Sequence, residues 1–396
     1  MPPGVVQLQA KGDKEIYLTE SPQMDVFKYN YYRYVNYAAE TLVLPLNDNV
    51  QFGKQTFCKI DKYGHLLSKL YLHVKLPELT KNGGSYVCWT DNIGMALFSK
   101  PIELEIGGVI VDYIYPQFCD MWDDLSNSNK QFGRNLMTLK SDTSVSNKYN
   151  ATRSTDLIIP IEFWFTKSYA MALPIVAMRN QQIRVNFYFR NFADLINYDG
   201  NTPDSVGVLQ SQLLAEYIFL DDSVLSNYIT KKQTYIVEQI HYQGDLVIPQ
   251  NQTVFNTTLK FTKPTKEIVF AMVEQQNVNT NNYFVYSRSD GDPLIESATL
   301  MLDGSRRFDN LPEFYYRSIV PDSIHSTIPL KYIYCIPFSI RPDDSTQPTG
   351  HINMDRFTDV VLSLKMCKGN ANCKIYIYGV CYTLVTVENG VLTVSN

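Results

Sequence analysis

Apolar and polar residues alternate with a period of two through much of this chain. Leu70-Tyr-Leu72-His-Val74-Lys-Leu76 sets aliphatic side chains on one side and Tyr71, His73 and Lys75 on the other. Ile183-Arg-Val185-Asn-Phe187-Tyr-Phe189 repeats the pattern, as do Val360-Val-Leu362-Ser-Leu364-Lys-Met366 and Lys374-Ile375-Tyr-Ile377-Tyr-Gly-Val380. Successive side chains of an extended backbone point to opposite faces, so each segment predicts a strand with one face on a core and the other wetter. Leu214–Leu220 and Tyr235–His241 read as further strands.

Helical signals are few and short. Pro116–Leu125 predicts a brief helix with proline in its first turn. Ser223–Lys232 predicts another, with Ser223 as N-cap and lysines at its C-terminal end. Polar loops fill 127–155, 191–207, 275–293 and 341–350. Many short strands joined by long polar loops predict an all-β sandwich or jelly roll.

One hairpin recurs at half-chain spacing. Ile102-Glu-Leu104-Glu-Ile106 runs into Gly107-Gly108, and Ala298-Thr-Leu300-Met-Leu302 runs into Asp303-Gly304. Leu104 and Leu300 lie 196 positions apart, as do Ile106 and Leu302. Gly-Gly and Asp-Gly after an alternating strand signal a tight hairpin whose central residues need positive φ, so Gly107, Gly108 and Gly304 are the structural candidates. A period of half of 396 residues suggests two copies of one β module, which suits a length that exceeds one usual core. Ser223–Gln233, lying between two predicted strands, is the natural boundary.

Composition sharpens this picture. Twenty-eight Tyr and 20 Phe favour pleated, half-buried surfaces over helices. No stretch approaches the ~18 apolar residues of a membrane helix, and Met1-Pro-Pro-Gly-Val-Val lacks the charged and apolar regions of a secretory signal, so the expectation is a soluble protein made in the cytoplasm. A net charge of −5 without a basic stripe argues against direct nucleic-acid binding. The seven cysteines include no Cys-x-x-Cys. Cys367 and Cys373 flank a hairpin-like loop and could face one another, but buried, reduced thiols are the expectation.

The chemistry-bearing patterns are sparse. Five histidines form no His-x-His or His-Glu-x-x-His, and neither a nucleophile elbow, a phosphate loop nor a dinucleotide fingerprint occurs. Asp123-Asp124, Asp221-Asp222 and Asp343-Asp344 read as solvated or capping carboxylates, and His73 as a surface or packing residue. The expectation is therefore no catalytic, cofactor-binding or metal-binding residues and no cofactor. Asn150, Asn251 and Asn256 fit the glycosylation pattern, which without a secretory route is a chance match.

Several long stretches together resemble a known family. They are Val6–Ala10 with Tyr17–Gln23, Phe27–Ala38 with Phe52-Gly53, Leu70–Pro77, Ile102–Asp112 with Trp122, and Ile159–Phe165 continuing through Ala172–Ala177 to Phe187. The second half adds Lys263–Glu267, Leu302–Gly304, Tyr332–Tyr334 and Gln347–Gly350 with Asn353. In this order they resemble the major capsid protein of nucleocytoplasmic large DNA viruses, the group that includes chlorella viruses and iridoviruses. Gly64-His65 and Gly94-Met95-Ala96 depart mildly from the family pattern, and the chain is short for it, which implies trimmed outward loops.

The resemblance implies two consecutive eight-stranded jelly rolls with short helices in loops. The divisions it suggests are an N-terminal arm at 1–25, a first roll at 26–222, a linker at 223–233 and a second roll at 234–396. Phe27–Ala38 would be the family's first strand. The implied function is structural: homotrimeric, pseudo-hexagonal capsomers in an icosahedral shell, contacting one another and minor capsid proteins, without direct nucleic-acid contact or membrane insertion. The implied location is the virion, with assembly in the host cytoplasm. Two other readings remain: a glycan-binding, host-attachment or minor capsid β-sandwich, with loop 127–155 as the binding element, and a membrane-shaping scaffold of immature virions.

Overall fold

The computed structural model describes residues 1–47, 50–126, 137–140, 151–204 and 208–395. Met1–Asn36 forms a unit of its own, with a short helix at Pro3–Gln9, a single turn at Ile16–Thr19 and every residue exposed. The first strand begins at Tyr37, so Phe27–Asn36 is not strand, contrary to expectation. The reason is physical: among the described residues no strand pairs with this segment, and alternation alone cannot hold extended backbone.

Tyr37–Asn396 is the second unit. Its first eight major strands are β1 (Tyr37–Pro45), β2 (Gln55–Ile60), β3 (Leu66–Leu76), β4 (Ile102–Ile106), β5 (Val109–Ile114), β6 (Thr155–Pro160), β7 (Ile183–Tyr188) and β8 (Val208–Leu220). The next eight are β9 (Gln233–Tyr242), β10 (Val254–Thr258), β11 (Pro264–Glu274), β12 (Ile295–Leu302), β13 (Ser305–Pro312), β14 (Ile333–Pro337), β15 (Val360–Met366) and β16 (Cys373–Glu388).

The first eight pair in the orders β1-β8-β3-β6 and β2-β7-β4-β5. The second eight pair as β9-β16-β11-β14 and β10-β15-β12-β13. Adding eight to each label converts one set into the other, and every pairing is antiparallel. Each set is an eight-stranded jelly roll, and the 196-residue spacing holds at strand level, since Tyr37 opens β1 and Gln233 opens β9.

In the first roll, β3 alternates as the sequence predicts: Leu70, Leu72, Val74 and Leu76 are buried while Tyr71 and His73 are half-buried and Lys75 exposed. The equivalent strand of the second roll does not alternate. Ile268-Val-Phe-Ala-Met-Val273 in β11 is buried on both faces. Ile268, Phe270 and Met272 belong to the second roll's own core, whereas Val269, Ala271 and Val273 belong to a cluster shared with the first roll. Ile375–Cys381 in β16 is likewise buried throughout, so this strand does not keep the wetter face that its alternation suggests. The first roll covers the face that would otherwise be wet.

Helices sit in the connections. Pro116–Ser126 follows β5, and a helical stretch over residues 313–324 follows β13 at the equivalent place. Between the rolls lies the helix Asp222–Thr230, whose N-cap position is Asp221. Ser223 falls inside its first turn and does not cap it.

Candidate functional site: the seam between the rolls and its open counterpart

The two hairpin turns are the simplest elements to derive. Gly107 and Gly108 adopt φ of +63° and +84° between β4 and β5, and Asp303 and Gly304 adopt +46° and +79° between β12 and β13. Two consecutive positive φ values define the tight turn whose twist matches that of the flanking strands. A Cβ on Gly107 would lie 3.1 Å from the Gln181 side chain, whereas Gly108 and Gly304 face open space. Gln181 is itself occupied across the rolls, donating to Leu392 O at 3.1 Å and accepting from Leu392 N–H at 2.6 Å.

Where the rolls meet, the apolar contact is threaded by buried charge. Asp120, on the helix Pro116–Ser126, accepts from Asn92 Nδ2 at 2.8 Å, Tyr286 OH at 3.0 Å and Lys331 Nζ at 3.0 Å, with Lys140 Nζ at 3.1 Å. Tyr286 and Lys331 come from the second roll. Burial alone would raise the Asp120 carboxyl, but the charges of Lys140 and Lys331 and the hydrogen bonds from Lys331 and Asn92 hold it at about 2. Lys140 also reaches Asp124 at 2.6 Å, and Thr327 donates to the carbonyls of Asp124 and Leu125. Asp123 and Asp124 are thus buried parts of the seam rather than solvated. The local pattern misleads because their helix is itself covered.

A second knot centres on Glu238 of β9. Lys167 of the first roll reaches it at 2.8 Å, and the fully buried Lys266 contacts it too, so two ammonium groups share one carboxylate. Burial pushes Glu238 up, yet the two lysines bring it below the ordinary carboxylate range. Among the described residues no ammonium group pairs with Asp112 nearby, and burial pushes it up to about 7 despite a 2.9 Å bond from Tyr113 N–H. Aromatic rings complete the contact: Tyr115 lies 5.4 Å and Phe118 5.5 Å from Tyr378 between ring centres, and Arg190 sits 4.1 Å from the Tyr283 ring centre.

A third group was invisible to sequence reasoning. His325 Nε2 lies 2.8 Å from Glu267 Oε1 and its Nδ1 lies 2.7 Å from Asp343 Oδ1, with Cys335 Sγ alongside. The Trp122 ring of the first roll stands edge-on to His325 at 5.8 Å. These residues are scattered between positions 267 and 343, so no motif spacing reveals them. One signal was available: a glutamate in an otherwise apolar two-faced strand has to find a partner.

The same surfaces in the other copy are open. Phe118 is 6% exposed within the seam, whereas Phe314, 196 positions later on the equivalent helical stretch, is 50% exposed. Ile319, Ile328 and Leu330 in the same region are exposed as well. On the first roll, the outer face of the β1-β8-β3-β6 sheet carries Val43, Leu214, Tyr71 and Pro160 in one cross-strand row. Val43 on this row is 56% exposed.

Two family models match the chain. Residues 25–221 match a "Major capsid protein N-terminus" model, and residues 226–392 match a "Large eukaryotic DNA virus major capsid protein" model. The chain belongs to the major capsid protein family of large eukaryotic DNA viruses. The major capsid protein of Pyramimonas orientalis virus is 26% identical over 412 residues, covering 98% of this chain and 97% of that relative. The major capsid protein of Paramecium bursaria Chlorella virus 1 is 24% identical over 437 residues, covering 99% and 94%. Against the longer major capsid protein of Phaeocystis pouchetii virus, 26% identical over 312 residues, the match takes in 70% of this chain but 59% of the relative.

Among solved structures, the quasi-atomic model of the PBCV-1 virus capsid superposes with a TM-score of 0.82 at 21% identity, over 94% of this chain and all of that one. The Faustovirus major capsid protein superposes at 0.72 and 11%, over 97% of this chain and 96% of that one. These likenesses carry the double jelly-roll fold.

Within this family member, the remaining expected residues fall as follows. All seven cysteines are free, and Cys367 and Cys373 do not pair. Asn251, at φ +61°, and Asn256 of β10 are exposed, while Asn150 and most of loop 127–155 lie outside the described residues. His73 pairs at 2.9 Å with Asp156 on the open face. Asp344 accepts from Thr346 and Gln347 in an exposed turn, a capping carboxylate as expected. No helix among the described residues is long and apolar enough to cross a membrane.

Proposed function

We propose that this chain is the repeating unit of an icosahedral virion shell and assembles as a homotrimer of pseudo-hexagonal outline without catalytic activity. The observation that supports this best is the unequal fate of equivalent surfaces. Inside the chain, the first roll's helix Pro116–Ser126 caps the outer face of the second roll's β9-β16-β11-β14 sheet. Among the described residues, no helix of the second roll caps the first roll's own β1-β8-β3-β6 sheet, and no such sheet lies against the second roll's residues 313–324. If a neighbouring copy repeats the internal contact, both vacancies close at once.

Such a contact is head-to-tail, and three repeats with two rolls each close a six-fold-like ring. The internal geometry names the pairs. Phe118 packs on Tyr378, whose cross-strand partner is Val269. Subtracting the repeat spacing from Val269 gives His73, whose cross-strand partner is Gln212. Phe314 of one subunit therefore seats near His73 and Gln212 of the next. Permanent interfaces run to roughly 2,000–5,000 Å² and favour aromatics, which matches the tyrosine-rich exposed surface.

The proposed divisions are an arm at 1–25, rolls at 26–222 and 234–396, and a linker at 223–233. All strand pairings among the described residues fall within 37–220 or 233–394, which supports two separate rolls, though the first roll's pairing starts at Tyr37 rather than at 26. The exposed arm, with Tyr17, together with the exposed Phe27 and Tyr29–Tyr34 that follow it, would bind a neighbouring subunit or minor capsid proteins, with assembly in the host cytoplasm. Light scattering tests the trimer. Three chains of 45.5 kDa give 136.5 kDa, and a stable 45.5 kDa particle under assembly conditions would overturn the reading.

A further inference from the structure

We propose that Cys335 Sγ, His325 Nε2 and the Glu267 carboxylate form a structural zinc site at the seam, with Asp343 orienting the histidine. The three donor groups lie within 4.8 Å of one another. Glu267 and Cys335 are fully buried, and the His325 side chain is too. Thiolate, imidazole and carboxylate together are a zinc donor set, with bonds of about 2.0–2.3 Å. The ligands come from two strands and a loop: Glu267 on β11, Cys335 on its partner β14, and His325 just after the helix Val320–Ile324. In the β11–β14 register Val269 opposes Cys335, which leaves Glu267 and Cys335 as diagonal neighbours on one face.

Two observations point to a ligand rather than to an ion-pair chain alone. The first is an unsatisfied atom: Glu267 Oε2 is buried and has no hydrogen-bond partner. A buried acceptor left unmade costs about 1–3 kcal/mol, and a bound cation would satisfy it as the fourth donor position. The second is the Asp343 contact to His325 Nδ1 at 2.7 Å. A carboxylate on the far nitrogen is the arrangement that fixes a ligating histidine's tautomer and turns Nε2 toward the metal. Ser326 in turn donates its N–H and hydroxyl to the other Asp343 oxygen, at 2.7 and 2.6 Å, which holds that carboxylate in place.

Charge balance favours the exchange. Zinc brings two positive charges and displaces two protons, one from the Cys335 thiol and one from Nε2 of His325. The buried net charge is then unchanged, so binding adds no uncompensated charge beside Trp122. With Glu267 Oε2 filling the fourth coordination position, none is left open for a reacting water and the site is structural: it ties the loop after residue 324 to the sheet face that the first roll covers.

The test uses the full-length protein, purified with zinc in the medium, gel-filtered and analysed for metal, together with a cobalt-substituted sample. The proposal expects one zinc per chain and a thiolate-to-cobalt charge-transfer band. Cys335→Ser should lose both, while Cys58→Ser, at a buried thiol in the first roll, keeps both. Asp343→Asn should weaken zinc affinity about 10–100-fold without changing stoichiometry at saturation. Zinc in the wild type no higher than in Cys335→Ser, a cobalt spectrum without the thiolate band, or a band that survives Cys335→Ser would each overturn it. The wild-type cobalt spectrum decides the matter even if Cys335→Ser fails to fold.

Discussion

The two rolls present the same sheet face to different surroundings. Lys69, Tyr71, His73 and Lys75 line it in the first roll, and Thr265, Glu267, Val269 and Ala271 stand at the equivalent positions of the second. The first set is half-buried or exposed and the second is fully buried. One topology therefore carries two solvation states, and the sequence of each strand answers to what covers it. The difference teaches that cover, and not topology, sets the polarity of this face, and on the proposed assembly a neighbouring subunit would supply that cover to the first roll.

Substitutions at equivalent positions break this comparison most sharply. Phe118→Asp should cost at least ~4 kcal/mol, because it empties a packed aromatic site and buries a charge. Phe314→Asp should leave folding within about 0.5 kcal/mol of wild type, since the ring is half exposed in the single chain. Urea denaturation of the two variants under dissociating conditions measures the contrast, and equal losses would contradict it. Next in size, Ala271→Lys should cost about 3 kcal/mol or more, placing in the second roll the side chain that the first roll carries openly as Lys75.

Acid titration reports on the buried carboxylates of the seam. Asp120 sits below the ordinary carboxylate range, so its contribution is complete above about pH 4 and is lost as pH falls toward 2. Asp120→Asn should flatten that part of the stability profile, and a profile unchanged by the substitution would show that Asp120 is not the group responsible. Asp112 has the opposite sign. Its carboxyl is raised to about 7, so keeping it ionised costs stability as pH climbs from about 4 to 7. Asp112→Asn should stabilise the protein at pH 8 by up to about 4 kcal/mol and change little at pH 4. Thermal melts at the two pH values check this.

The legible part of the sequence was whatever local chemistry decides. Alternation in β3, β7 and β15 is set by one wet and one dry face, and the turns at Gly107-Gly108 and Asp303-Gly304 by the need for positive φ. The seam was illegible for the converse reason. Asp120 meets Lys331 across 211 positions, and nothing near either residue marks the pairing. Asp123-Asp124 read as solvated because helix-borne acids usually are. The run Ile268–Val273 did carry a signal, since an unbroken apolar strand requires cover on both faces.

The central claim is that a neighbour repeats the internal contact. A photo-crosslinking residue placed at Phe314 of the assembled protein, in a mixture of isotopically light and heavy subunits, tests it most directly. The expected product joins the residue at 314 of one subunit to the Tyr71–His73 or Gln212–Leu214 segment of another, visible as a mixed-isotope peptide pair. Crosslinks confined to one subunit, or directed to any other surface, would contradict the account.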